Sequence, residues 1–111
     1  MTANDIRSQI QKDKVDYILV QYVDIHGTPR CKGVPARALE LFLEGSAGFA
    51  GAAVSGMGQG PHDHDMIAMP DLESYTLVPW ETGVARFACN ITVDGNPWPY
   101  CPRTALRRAT A

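Results

Sequence analysis

Positions 17–32 read YILVQYVDIHGTPRCK. The first seven of these residues are rich in β-branched and aromatic side chains, which favour a strand, and an aspartate follows them. His26-Gly27 is typical of a tight turn, and residues 28–32 can return as a second strand. The stretch therefore predicts a β-hairpin, in which His26 is a turn residue rather than a catalytic base.

A short amphipathic helix is predicted before the hairpin. Ile6 and Ile10 recur at helical spacing among polar neighbours, so one stripe of this helix should pack against a core. Asn4 or Asp5 could cap the first free amides. We expect the helix within residues 1–14.

A second helix is predicted after the hairpin, because Pro35 precedes the apolar stretch 36–44 and Gly45 follows it. Further strands are expected at 66–69, 74–78 and 84–93, with a turn at Asp94-Gly95. A hairpin, a helix and returning strands indicate a small α+β domain in which a mixed sheet packs on a helix.

Composition narrows the classes of function. A chain of 111 residues fits one domain, and its net charge of −2 gives no long-range attraction to nucleic acid or anionic lipid. It has neither an apolar run of ~18 residues nor an apolar signal core, so we expect a cytoplasmic protein. Cys31, Cys89 and Cys101 are odd in number and form no C-x-x-C pair, which predicts free thiols, with Cys89 in the core.

Residues 48–58, GFAGAAVSGMG, form an uncharged stretch with four glycines and three alanines. Such a composition cannot hold a helix, and long loops in compact domains usually carry function. A phosphate cradle is disfavoured because no G-K-[ST] follows the glycines. We interpret the stretch as a binding loop, and the alternative is a flexible linker.

Two further features have competing interpretations. His62 and His64 could bind a divalent metal, but two ligands seldom make a selective site, so a solvated loop is favoured and no metal site is assigned. Trp80 and Trp98 could stack on a ligand. Trp80 follows Val78-Pro79, which is more typical of a core or subunit-contact residue, and contact is the favoured role.

Short motifs follow one another along the chain: Asp24-Ile25-His26-Gly27, Val34-Pro35, the loop 48–58, Asp65-Met66, Met69-Pro70-Asp71, Pro79-Trp80, Ala85-Arg86, Asp94-Gly95 and Pro102-Arg103. Any one of these motifs is short enough to occur by chance. Together and in this order, they resemble the N-terminal β-grasp domain of the glutamine synthetase family. The loop form Gly-Phe-Ala-Gly-Ala is similar to that of type III glutamine synthetases and glutamate–methylamine ligases.

The resemblance implies an α+β fold of the β-grasp class over residues 15–101, with residues 102–111 as the first turns of a larger catalytic domain. In this family the complete enzyme is a homo-oligomeric ring that uses ATP and Mg²⁺ or Mn²⁺. The small domain of one subunit covers the active site of the next. The resemblance therefore implies a lid over an amine pocket, formed by Phe49, Ala50, Gly51, Ala53 and Met57, and no catalytic residue in this chain.

One departure from the family loop bears on the substrate. The usual loop reads Phe-Asp-Gly-Ser-Ser, with an aspartate that helps to bind ammonium and remove its proton, and Ala50 stands at the matching position. A methyl group can neither attract NH₄⁺ nor accept its proton. Ala52 and Ala53 replace the serines, and Met57 replaces a tryptophan. The apolar volume suits an alkyl or aryl group on the reacting nitrogen.

The resemblance thus implies an N-terminal domain of an ATP-dependent glutamate–amine ligase that forms γ-glutamylamides, with the identity of the amine left open. Its partner would be the catalytic domain of a neighbouring subunit, and neither nucleic acid nor membrane is expected as a partner. The 111-residue chain alone is predicted to be inactive. Alternatives are a stand-alone, non-catalytic β-grasp module that docks on full-length relatives, or an inert truncated fragment.

Overall fold

A computed structural model describes residues 1–45, 47–49 and 65–110 of the chain. The helices are α1 (Ala3–Lys12), α2 (Leu39–Leu43) and α3 (Pro102–Thr110). The strands are β1 (Tyr17–Val23), β2 (Pro29–Pro35), β3 (Gly48–Phe49), β4 (Met66–Pro70), β5 (Thr76–Leu77), β6 (Val84–Val93) and β7 (Asn96–Pro97). Single 3₁₀ turns occupy Ala36–Ala38 and Leu72–Ser74.

Strand β6 is the centre of a mixed sheet. The strand order is β2-β1-β6-β4-β3, and β5 and β7 also pair with β6. β1 is antiparallel to β2 and parallel to β6, whereas β4 is antiparallel to β6. Arg86 of β6 pairs with Leu19 on one side and Thr76 on the other, so β1 and β5 lie at opposite edges of β6.

One face of the sheet packs against α1 and α2 to form the core. Side chains alternate between faces along a strand, and every second residue of β1 and β6 is buried. Phe87 lies at the centre, with ring centroids 5.5 Å from Phe42 and 5.6 Å from Tyr75. The core residues from the two helices are Ile6, Ile10, Leu39 and Phe42. The predicted packing of a mixed sheet on a helix is confirmed.

Helix α1 begins with a capping box. Thr2 Oγ1 accepts a hydrogen bond from the Asp5 amide, and the Asp5 carboxylate accepts one from the Thr2 amide. The expectation that Asn4 or Asp5 is the N-cap is therefore wrong, because Asp5 occupies the third helical position. The helix ends at Lys12 with Asp13 as its C-cap.

The second predicted helix, 36–44, is divided into two parts. Ala36–Ala38 forms a 3₁₀ turn, and the α-helix spans only Leu39–Leu43. The Ala36 amide donates to the Asp16 carbonyl at 2.8 Å, which ties the turn to the start of β1. Gly45 follows the helix with φ of +92°, a conformation that favours glycine, so the predicted stop is confirmed.

The predicted strand 74–78 is shorter than expected. Asp71 caps the 3₁₀ turn by accepting from the Glu73 amide at 3.1 Å, and the Ser74 hydroxyl accepts from the Ala88 amide at 2.8 Å. These side-chain bonds replace strand pairing, which begins only at Thr76. The predicted bounds 84–93 are confirmed for β6.

A two-residue turn ends β6. Asp94 and Gly95 both have positive φ, 52° and 80°, as a tight hairpin turn requires. The turn was predicted, whereas the short strand β7 that follows it was not. Cys89 and Cys101 are buried and Cys31 is exposed, all as free thiols. Within the described ranges, no helix is long and apolar enough to cross a membrane.

Candidate functional site

The loop predicted to cover an amine pocket starts from the sheet at Phe49. We call Gly48, Phe49, Asp65 and Met66 the loop root. Phe49 pairs with Met66 in the antiparallel β3–β4 ladder, and Gly48 pairs with Ile67. The sheet therefore holds the start of the loop beside the first residues of β4.

The Phe49 side chain is fixed by residues of the hairpin. Its ring lies edge-on to Tyr22, with the centroids 4.8 Å apart. Lys32 Nζ lies 5.7 Å from the Phe49 centroid and donates a hydrogen bond to the Gly48 carbonyl at 3.1 Å. Both contacts are attractive because a ring has a positive edge and a negative face. β1 and β2 thus hold the loop root in addition to its pairing with β4.

Tyr22 brings a buried hydroxyl close to the loop root. The residue is 1% exposed, and its hydroxyl has no hydrogen-bond partner among the described residues. Burial raises the pKa of Tyr22 above its ordinary value, because the charged phenolate is poorly solvated there. The hydroxyl is therefore a neutral donor at physiological pH.

The other predicted pocket residues, Ala50, Gly51, Ala53 and Met57, lie outside the described residues, and their roles stay predictions. The possible metal ligands His62 and His64 also lie there. Within residues 1–45, 47–49 and 65–110, no group of three or more His, Cys, Asp or Glu side chains could hold a metal ion.

The motif Asp24-Ile25-His26-Gly27 forms the hairpin turn. Asp24 is fully buried, and its carboxylate accepts hydrogen bonds from the His26 and Thr28 amides at 2.9 and 3.0 Å and from Arg30 Nε at 3.0 Å. Burial alone would raise the pKa of Asp24, but the hydrogen bonds and Arg30 hold it below its ordinary value. Gly27 has φ of +78°. The predicted turn position of His26 is confirmed.

Arg103 connects α3 to the sheet. Its Nε donates to Asn90 Oδ1 at 3.0 Å, and its Nη2 donates to Asp71 Oδ2 at 2.6 Å. The motifs Met69-Pro70-Asp71 and Pro102-Arg103 thus meet in an ion pair. This contact positions the predicted helix start on the sheet face opposite to α1 and α2, where the Asn90 side chain lies.

Among the described residues, clefts lie on the sheet face opposite to α1 and α2. A cleft of about 590 Å³ lies between β6 and α3 and includes Met69, Asn90 and Arg107. Clefts of about 450 and 370 Å³ lie beside Arg86, and Trp80 lines the smaller one. Trp80 is 79% exposed, so the core alternative for this residue is wrong and its contact role stays a prediction.

Sequence reasoning missed Tyr22 and Lys32 as neighbours of Phe49. The alternation in β1 places Tyr22 on the buried face with Ile18 and Val20, so its burial could have been inferred. Its contact with Phe49 could not, because β3 has only two residues and gives no periodic signal. Lys32 lies on the exposed strand β2, and nothing in the surrounding sequence indicates that it contacts Phe49.

A family profile and two known proteins all relate this chain to glutamine synthetases and similar ligases. A family profile described as "Glutamine synthetase, beta-Grasp domain" matches residues 14–94. The chain is 39% identical over 109 residues to the glutamate–methylamine ligase of Methyloversatilis universalis, covering 97% of the chain and 25% of that protein. It is 34% identical over 111 residues to a glutamine synthetase of Staphylococcus aureus, covering 96% of the chain and 25% of that protein.

Two solved structures resemble this chain at a similar level of sequence identity. The ligand-free structure titled apo GmaS superposes with a TM-score of 0.87 at 36% identity, over 94% of this chain and 24% of that one. A GmaS complex with ADP gives a TM-score of 0.86 at 34% identity. The chain therefore spans about a quarter of the length of these relatives.

Proposed function

The chain belongs to the glutamine synthetase family, whose β-grasp domain it contains, and we propose that it is the N-terminal domain of an ATP-dependent glutamate–amine ligase. The observation that carries the proposal is the 39% identity to a glutamate–methylamine ligase over 97% of the chain. The complete enzyme would join an amine to the side-chain carboxyl of glutamate to form a γ-glutamylamide.

In the complete enzyme, the loop 48–58 would cover the active site of a neighbouring subunit in a homo-oligomer. Phe49, Ala50, Gly51, Ala53 and Met57 would then shape the amine pocket. The loop root supports this role, because the Phe49 ring is packed on Tyr22 and its strand is paired with β4. A root fixed in advance lowers the entropy cost of ordering a loop over its target.

The amine is proposed to be a substituted one rather than ammonia. Ala50 carries no charge, so it offers no Coulomb attraction to a small cation and no base for its proton. The alanines of the loop add apolar surface that an alkyl group can contact. The enzyme named glutamate–methylamine ligase, to which this chain is similar, is in keeping with this preference.

ATP and Mg²⁺ or Mn²⁺ are proposed cofactors of the complete, cytoplasmic enzyme. The described residues do not fit a metal, since they bring together no sufficient set of His, Cys, Asp and Glu side chains. No step of phosphoryl transfer is therefore assigned to the described residues of this chain. Its contribution is to cover the site and to select the amine.

A chimera tests the proposal. Residues 1–111 would replace the matching quarter of the Methyloversatilis universalis glutamate–methylamine ligase, and product formation from glutamate, methylamine and ATP would be measured. We expect activity that the remaining part of that ligase lacks when expressed alone. A folded and assembled chimera without activity above that level would contradict the proposal.

A further inference from the structure

The sheet face opposite to α1 and α2 carries a groove that the proposed ligase role does not use. Two clefts, of about 450 and 370 Å³, share Gln21, Thr76 and Arg86 as lining residues. The larger continues toward Ser74 and Arg103, and the smaller toward Trp80. We call these two adjoining clefts the Arg86 groove.

Arg86 gives the groove a positive charge that no carboxylate lining the groove among the described residues neutralises. Its Nη1 donates to Gln21 Oε1 at 2.8 Å, and this neutral amide is its hydrogen-bond partner within the described structure. Arg103, at the other end of the larger cleft, is paired with Asp71. No carboxylate lines either cleft among the described residues. A half-buried guanidinium held by a neutral amide is ready to form a bidentate pair with a carboxylate.

Exposed apolar side chains lie at the other end of the groove. Trp80 is 79% exposed and Leu77 is 44% exposed, and both line the smaller cleft together with Val78 and Arg86. A large exposed aromatic side chain beside an arginine is the composition typical of binding hot spots. The groove thus combines an apolar anchor with an adjacent cation.

We propose that the Arg86 groove binds an extended protein segment in which an acidic and an apolar residue stand two positions apart. A carboxylate of the segment pairs with Arg86, and an apolar side chain packs on Trp80 and Leu77. Side chains i and i+2 of an extended chain point the same way, roughly 6.5–7 Å apart, so one segment can fill both clefts. Charge complementarity favours an acidic partner although the whole chain has a net charge of −2.

A peptide titration of the isolated chain tests this inference independently of ligase activity. The probe is the acetylated and amidated six-residue peptide Ser-Glu-Ser-Leu-Ser-Glu, in which glutamate and leucine share one face of an extended chain. Its binding is followed through the backbone amide and tryptophan indole shifts of the protein in NMR spectra. We expect saturable binding with shifts at Arg86 and Trp80, and weaker binding at higher salt. A peptide with lysine in place of glutamate should not bind.

Matched variants locate the contact. Arg86→Gln removes the charge and keeps a polar side chain, and Trp80→Ala removes the anchor, so each should weaken binding about tenfold or more. The controls are Arg107→Gln and Tyr100→Ala, which change an exposed cation and an exposed aromatic residue outside the groove. These should bind as the unmodified chain does.

Three results would overturn the inference. They are the absence of saturable binding up to millimolar peptide, equal binding of the lysine peptide, and equal losses in the groove variants and their controls. Spectra of each variant in the absence of peptide establish that it is folded, so a loss of binding can be attributed to the groove.

Discussion

Asp71 and Arg103 are 32 residues apart in sequence, and a hydrogen bond of 2.6 Å joins Asp71 Oδ2 to Arg103 Nη2. The same carboxylate caps the 3₁₀ turn at Leu72–Ser74 through the Glu73 amide. One aspartate therefore fixes both the chain reversal after β4 and the position of α3. Two motifs that are separate in the sequence act as one structural unit.

Arg103→Ala should lower the free energy of unfolding by about 1 kcal/mol, since both partners are about a third exposed and water screens the pair. Amides of α3 should also exchange faster. Urea unfolding and hydrogen exchange measure the two effects. Arg107→Ala, on the exposed part of the same helix, is the control, and equal effects of the two variants would contradict the role of Arg103.

Tyr22→Phe should leave stability unchanged or raise it by up to ~1–3 kcal/mol, because the buried hydroxyl has no partner among the described residues. The aromatic contact with Phe49 is kept. Tyr22→Ala, which removes the ring, should be strongly destabilising by contrast. Thermal unfolding of the unmodified chain and the two variants measures these effects. A loss of stability in Tyr22→Phe would show that the hydroxyl is hydrogen-bonded.

Cys89 should make the fold sensitive to alkaline pH. Burial raises the pKa of this thiol from 9.0 to about 12. The folded state favours the neutral thiol, so its stabilising effect is complete below pH 9 and is lost as the pH rises through about 12. Stability measured across this window should fall less steeply in Cys89→Ala than in the unmodified chain.

Cys31→Ala is the matched control for this alkaline transition, because Cys31 is exposed. Its stability should follow the same pH dependence as the unmodified chain. Some decline should remain in every variant, since burial and the hydrogen bond to Asp13 also raise the pKa of Tyr75 above 10.0. Identical alkaline slopes in Cys89→Ala and the unmodified chain would contradict the prediction.

Ala50→Asp, introduced into the chimeric ligase, should shift preference from methylamine toward ammonia. The restored carboxylate interacts more strongly with a small cation than with a bulkier one, by about 1–3 kcal/mol. The ratio of kcat/KM for the two amines should therefore change by roughly 5- to 150-fold. Ala36→Asp, in the 3₁₀ turn after β2, is a control for added charge. An unchanged ratio would mean that residue 50 does not face the amine.

Long strands in which apolar and polar residues alternate regularly were predictable from the sequence. β1 and β6 have the predicted bounds, because each buries alternate residues over seven and ten positions. The stop at Gly45 and the turn at Asp94-Gly95 depend on positive φ, which these residue types accept.

Short elements and long-range contacts were not predictable in this way. The strand expected at 74–78 is shortened by the hydrogen bonds of Ser74 and Asp71, which depend on the tertiary position of β6. At the candidate site, Phe49 was predicted through the family loop, and its role in an amine pocket stays a prediction. Its neighbours Tyr22 and Lys32 come from the hairpin, and no local pattern in the sequence connects them to it.

The parallel pairing of β1 with β6 also determines when the domain can fold during synthesis. β1 ends at Val23 and β6 begins at Val84, so β1 leaves the ribosome well before its neighbouring strand. At ~5–20 residues per second, the interval is roughly 3–12 s. During that time one edge of β1 has no partner strand, and its apolar side chains are not yet covered by the core. The core can close only after Val93 has emerged.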